Sequence, residues 1–221
     1  GEREQLRGAL GAGAQPLPQP RRHRLHALGA ERAVGGVHRR RLAPEGAGYP
    51  PGMATTVPSD GILSKDRAGD REAIIKLLEK AYWMEIETVM SYMANSINPD
   101  GVRAQEVIES LEEDIQEELG HARQFGERIK ELYGVVPGSL EVTAEQHYLQ
   151  PPERQTDIVH VIRAFIEAET KAIDLYNQII EFCDDKDLVT QDMVIDILRD
   201  EERHRRLFEG FLREYEAEGL A

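Results

Sequence analysis

Two pairs of residues, Glu118 with His121 and Glu201 with His204, repeat one spacing in the two halves of the chain. A separation of three puts a carboxylate and an imidazole on the same face of a helix, and such oxygen and nitrogen donors together suit a divalent transition metal. One Glu-x-x-His decides nothing, because acid-rich helices produce it by accident and charge runs usually face water. The copy in ILRDEERHRRLF, residues 197–208, reads alone as a solvated helix face. Its recurrence in EELGHARQF, residues 117–125, is what asks for a common explanation.

Tracing apolar residues at alternating spacings of three and four gives one inward stripe per helical segment. The first reads Ile74, Leu78, Ala81, Glu85, Thr88, Tyr92, and the second Ile108, Leu111, Ile115, Glu118, Ala122, Phe125, Ile129, Leu132. The third reads Ile162, Phe165, Glu169, Ala172, Tyr176, Ile179, and the fourth Val194, Ile197, Glu201, His204, Phe208, Phe211, Tyr215. Each stripe is interrupted near its middle by a glutamate. An unpaired ionised carboxylate in a bundle core costs several kcal/mol or takes up a proton. Four such residues need a partner in common.

The inventory is therefore Glu85, Glu118, His121, Glu169, Glu201 and His204: one Glu from each of two helices and Glu-x-x-His from the other two. Di-iron and di-manganese carboxylate bundles use this set. Four carboxylates and two neutral imidazoles balance two divalent cations. Two iron ions per chain are expected, with manganese or zinc as alternatives. Glu87 competes with Glu85, because the first segment is apolar almost all round. Glu167 competes with Glu169, although its neighbours Arg163, Thr170 and Lys171 make a polar face. Glu85 precedes Tyr92, and Glu169 precedes Tyr176, by the same seven positions, which favours Glu85. Tyr92 and Tyr176 are either hydrogen-bond donors beside the metals or packed tyrosines satisfied elsewhere. Trp83, Met84, Met90 and Met93 read as core or subunit contacts, and His147 and His160 receive no role.

The elements that must carry these residues are four helices, over about 71–96, 103–133, 153–182 and 191–216. Asp70 and Thr190 are the expected N-caps of the first and fourth, and Gly134 stands just past the second. Short connections make the first two helices antiparallel neighbours, and likewise the last two. The 20 residues from Gly134 to Glu153 are long enough for a crossover along the bundle. The expected fold is all-α, a ferritin-like four-helix bundle of two antiparallel hairpins joined by a long crossover, occupying residues 70–217.

Composition separates residues 1–69 from this domain. Residues 1–52 hold nine Arg, no Lys and four Glu, a charge of +5 that leaves −19 on the rest, and they contain ten of the 19 Gly and six of the 11 Pro. So little apolar surface does not offset the ordering entropy, and the segment is expected to be disordered. Met53 begins an ordinary-looking protein start, so residues 1–52 read as in-frame upstream translation or an artefact. A nucleic-acid-binding tail is the alternative, disfavoured because aromatic interleaving is missing. No apolar run is long enough to span a bilayer. The single cysteine, Cys183, excludes an internal disulfide and suits a reducing cytoplasm.

On EELGHARQF at 117–125 and DLVTQDMVIDILRDEERH at 187–204, the chain resembles the ferritin-like superfamily, and bacterioferritins in particular, over roughly residues 70–217. The resemblance implies Glu118 and Glu201 as bridging carboxylates, and Glu85, Glu169, His121 and His204 as terminal ligands. It further implies a ferroxidase that oxidises Fe(II) with oxygen or peroxide and stores or detoxifies iron inside a homo-oligomer. Two departures qualify it. Leu119 stands where bacterioferritins carry a haem-binding methionine, so no haem is expected. No fifth helix follows the fourth, so the oligomer could be anything from a dimer to a hollow shell.

Two other functions compete. One is a di-metal peroxidase, oxidase or hydroxylase. The other is a non-enzymatic shell that protects nucleic acid through the basic tail, disfavoured because proteins of that kind place their iron between subunits.

Overall fold

The computed structural model describes residues 61–221, which form four long helices without a strand among the described residues. They are α1 (Ala68–Ile97), α2 (Gln105–Glu131), α3 (Ile158–Cys183) and α4 (Leu188–Ala217). At 26 to 30 residues each, the helices are roughly 40 Å long or slightly more. The pairs α1–α2 and α3–α4 pack along their lengths, while α1 meets α3 and α2 meets α4 across the seam.

The apolar stripes face inward as their spacing requires. Only the ends depart: Ile108, Phe211 and Tyr215 are partly buried and pack against the edge of one core cluster. The core falls into two apolar clusters. One contains Leu78, Phe125, Tyr176 and Ile197, the other Tyr92, Leu111, Phe165 and Phe208. The interrupting glutamates belong to neither cluster and lie between them along each helix.

Several boundaries differ from the sequence expectation, for local reasons. The N-terminal segment expected to be disordered lies outside the described residues up to 60. Its last part, 61–69, forms 3-10 turns at Gly61–Leu63 and Lys65–Arg67 and then enters α1. Ile62 is buried there, and Arg71 Nη1 donates to the carbonyls of Ile62 (3.0 Å) and Ser64 (3.1 Å). Asp70 is not the N-cap of α1 but sits in its first turn, where a carboxylate still favours the helix dipole. Thr190 is likewise inside α4. The cap is Asp187, whose carboxylate accepts the Thr190 N–H at 3.2 Å.

The α2 terminus closes with the Tyr133 N–H on Lys130 O (3.1 Å) and the Gly134 N–H on Ile129 O (2.8 Å), the Schellman pattern. Tyr133, not Gly134, takes the left-handed conformation, with φ 68°. Gly134 is required instead by closeness, since a Cβ there would lie 2.7 Å from Ile129 Cγ2 and 2.9 Å from Ile129 O.

The crossover between α2 and α3 contains 3-10 turns at Ser139–Glu141 and His147–Leu149. It is fastened to α1 beside the centre of the bundle. Glu87 accepts the N–H of Glu145 (2.9 and 3.0 Å) and of Gln146 (2.7 Å), and Gln146 Nε2 donates to Thr88 Oγ1 (2.7 Å).

Candidate metal centre

Each helix delivers its glutamate to the same level of the bundle, and α2 and α4 each add a histidine one turn further on. Glu85, Glu118, His121, Glu169, Glu201 and His204 are all buried, none more than 4% exposed. They form two overlapping groups. Glu85, Glu118, His121 and Glu201 each offer one ligand atom within 4.8 Å of the others, and so do Glu118, Glu169, Glu201 and His204. Glu118 and Glu201 belong to both groups.

The histidines turn the same nitrogen inward. His121 Nδ1 lies 3.0 Å from Glu118 Oε2 and 3.1 Å from Glu201 Oε1, and His204 Nδ1 is 3.5 Å from both Glu118 Oε1 and Glu201 Oε2. Within this crowd Glu85 Oε1, Glu201 Oε1 and His204 Nδ1 have no hydrogen-bond partner. Buried polar atoms are rarely left so. Converging carboxylate oxygens and imidazole nitrogens with free lone pairs fit divalent iron, manganese or zinc.

Without cations the cluster must hold protons. Burial, and then the charges of Glu118 and Glu201, raise Glu85 well above the ordinary carboxyl range; burial followed by Glu201 and Glu118 does the same to Glu169. Burial opposes charge on both imidazoles, but the adjacent Glu118 and Glu201 carboxylates outweigh it, pushing His121 up to about 10 and His204 to about 12. Burial also acts against ionised Glu118, yet the hydrogen bond with His121 and the nearby His204 imidazole bring it down to about 2.

The outer nitrogens face a second set of acids that stripe analysis missed, because these residues stand beside the inward face. His121 Nε2 lies 3.5 Å from Asp200 Oδ2, and His204 Nε2 lies 3.0 Å from Glu117 Oε2 and 3.7 Å from Asp114 Oδ1. A carboxylate on the outer nitrogen fixes the tautomer and ring orientation of a metal-binding histidine. Asp114 is buried, and burial pushes its carboxyl up to about 7 against the pull of His204. The signal for these acids was present as Glu117 directly before Glu118 and Asp200 directly before Glu201, a repeat within the repeat.

The alternatives at the two lone glutamates separate cleanly. Glu87 points to the crossover and is consumed by its backbone N–H groups. Glu167 is exposed and pairs with Lys171 at 3.5 Å. Both tyrosines are fully buried, but they differ: Tyr92 donates its hydroxyl hydrogen to Glu169, whereas Tyr176 OH has no partner. Met84 and Trp83 are partly buried, Met90, Met93 and Leu119 are exposed, and so are His147 and His160.

A family model for the ferritin-like domain matches residues 75–217. The chain is 30% identical over 153 residues to a DNA protection during starvation protein of Pyrococcus furiosus, covering 66% of this chain and 81% of that one. It is 27% identical over 148 residues to a bacterioferritin of Desulfovibrio desulfuricans, covering 65% and 78%. A structure of bacterioferritin from that species, described with a diiron site, superposes with a TM-score of 0.60 at 22% identity over 70% of this chain and 86% of that one. A dodecameric thioferritin of Bacteroides fragilis gives 0.60 at 23% identity, over 71% and 97%.

Proposed function

The chain belongs to the ferritin-like domain family, and we propose that its buried cluster is a two-metal ferroxidase centre that takes Fe(II) as substrate and passes its electrons to oxygen or peroxide. The observation that carries this reading is the pair of overlapping four-residue groups sharing Glu118 and Glu201, with ligand atoms left unpartnered among them. One ion would lie among Glu85, Glu118, His121 and Glu201, the other among Glu118, Glu169, Glu201 and His204.

The protein's part is electrostatic and positional. Four carboxylates balance two Fe(II) ions in a water-poor core, where charge interactions are strong. Each Fe(II) gives up one electron, and one two-electron oxidant receives both. The ferric pair then exceeds the carboxylate charge by two. That surplus favours release of oxidised iron and rebinding of Fe(II), the turnover that storage or detoxification needs. Glu118 and Glu201 would hold the two ions at one spacing, and the acids on the outer nitrogens would keep His121 and His204 in place.

The test is an anaerobic Fe(II) titration followed by air. Rapid oxidation of two iron ions per chain, and then uptake far beyond that number, is expected. Saturation at two would replace storage with another di-metal oxidase chemistry. A cavity of about 520 Å³ lies between α1, α3 and the crossover, but none of the six residues lines it. It therefore gives the hydroxylase alternative no support as a substrate channel into the centre.

Protection of DNA is a second reading, favoured by the name and 30% identity of the Pyrococcus furiosus protein. A protective role would use the same oxidation, with peroxide as the oxidant consumed. DNA strand breakage by Fe(II) and peroxide, measured with and without the protein, tests it: breakage unchanged by the protein would exclude it.

A further inference from the structure

The two carboxylates on the outer nitrogens of the histidines share one guanidinium. Arg203 on α4 places Nη2 2.6 Å from Glu117 Oε2 on α2 and Nη1 3.1 Å from Asp200 Oδ1 on α4. Glu117 is the acid at His204 Nε2 and Asp200 the acid at His121 Nε2. One unbroken path of polar contacts therefore runs His121–Asp200–Arg203–Glu117–His204 around the α2–α4 side of the cluster. The other arginines of this stretch behave differently. Arg199 pairs with Asp196 and Arg205 with Glu209, both within α4. By position alone Arg203 reads as one more member of a solvated face.

We propose that Arg203 is a positioning residue for both halves of the metal centre, holding Glu117 and Asp200 so that His121 and His204 keep Nδ1 turned toward the ligand cluster. The proposal rests on the two-metal reading. It adds that a residue more than half exposed, touching neither imidazole, governs the affinity of both positions. A planar guanidinium can serve two carboxylates at once through separate N–H groups, which a lysine ammonium cannot do with the same directional fit.

The sign of the effect separates positioning from simple charge. Removing a cation near a site for divalent cations lowers repulsion and, by Coulomb's law alone, strengthens metal binding. Loss of an outer partner weakens a metal–histidine site by about tenfold to a hundredfold.

The test is an anaerobic titration of the full chain with Co(II), whose visible absorption reports its ligand geometry. Arg203→Leu is expected to bind at both positions at least about tenfold more weakly, with a changed Co(II) spectrum. Arg203→Lys is expected to stay weak, and Arg199→Leu, which removes the same charge from the same helix, to match wild type. Unchanged or tighter binding by Arg203→Leu overturns the proposal. So does weakening confined to one position, full recovery by lysine, or equal weakening by Arg199→Leu. Wild-type protein that binds no Co(II) would instead overturn the two-metal reading itself, and the positioning role with it.

Discussion

Tyr92 on α1 donates its hydroxyl hydrogen to Glu169 on α3, across the seam between the two hairpins. The residue in the matching place of the second hairpin, Tyr176, is equally buried and has no partner. The sequence repeat is thus symmetric in its residues and asymmetric in its bonds.

Removing the two hydroxyls should therefore have unequal effects. Tyr92→Phe leaves a buried carboxyl oxygen without its donor and should cost about 1–2 kcal/mol, together with weaker metal binding in the group containing Glu169. Tyr176→Phe removes a hydroxyl that bonds nothing, and should leave stability the same or slightly higher. Urea unfolding of both variants, with and without Co(II), checks this; equal losses would contradict the bonding seen here.

The lone glutamates give a paired test of the ligand assignment. Glu85→Ala and Glu169→Ala should each lower stoichiometry from two ions per chain toward one, while Glu167→Ala binds like wild type. Glu87→Ala should retain both ions but loosen the crossover, seen as faster amide exchange at Glu145 and Gln146, whose N–H groups it holds. Metal binding unchanged in Glu169→Ala would remove that residue from the site.

Metal uptake should be strongly pH-dependent. Glu85, Glu169, His121 and His204 all have raised folded values, so the metal-free core carries protons that two divalent cations must displace. About four protons per chain should be released, and affinity should fall as pH falls. Calorimetry in buffers of different ionisation enthalpy counts them. Release near zero would mean that the metal-free core does not hold these protons.

The same shifts give the stability of the metal-free protein a defined slope. Groups raised on folding bind more protons in the native state, so stability falls as pH rises above the ordinary carboxyl value of 4.5 for Glu85 and Glu169. It falls again above the ordinary imidazole value of 6.5, as pH climbs toward about 10 for His121 and about 12 for His204. Glu118, lowered to about 2, acts oppositely and only at acid pH below 4.5. Thermal melts from pH 5 to 9 should decline in the metal-free protein and decline less with Co(II) bound, since the metal replaces the protons.

At the far end of the bundle Arg128 joins α2 to the start of α4. Its Nη2 meets both Asp187 oxygens at 2.8 Å, and its Nε donates to Thr190 Oγ1 at 2.8 Å. Both partners are buried. Asp187→Ala strips the N-cap and takes the buried carboxylate from Arg128 Nη2, leaving Nη1 on Glu131 at 2.8 Å, which should cost about 2–3 kcal/mol. The double change Arg128→Leu with Asp187→Leu should cost less than either alone would suggest, as a double-mutant cycle in urea would show.

What the sequence determined by itself is what one helix can encode. Spacings of three and four placed Glu85, Glu118, Glu169 and Glu201 on inward faces, and the separation of three tied each histidine to its glutamate, because helical period is a local property. The choice of Glu85 over Glu87 lay beyond periodicity, since α1 is apolar on several sides; in three dimensions Glu85 lies in the cluster and Glu87 accepts the N–H groups of the crossover. The caps of α1 and α4 lie three residues before the expected ones: α1 starts behind Arg67 without a side-chain cap, and at α4 Asp187, a second polar residue that fits the same pattern, caps Thr190. Asp114, Glu117, Asp200 and Arg203 became meaningful only in three dimensions. Their contacts join α2 to α4, residues far apart in the chain, and follow from the relative rotation and register of two packed helices. That register, fixed by how side chains interlock across the core, is what turns a repeated Glu-x-x-His into one cluster.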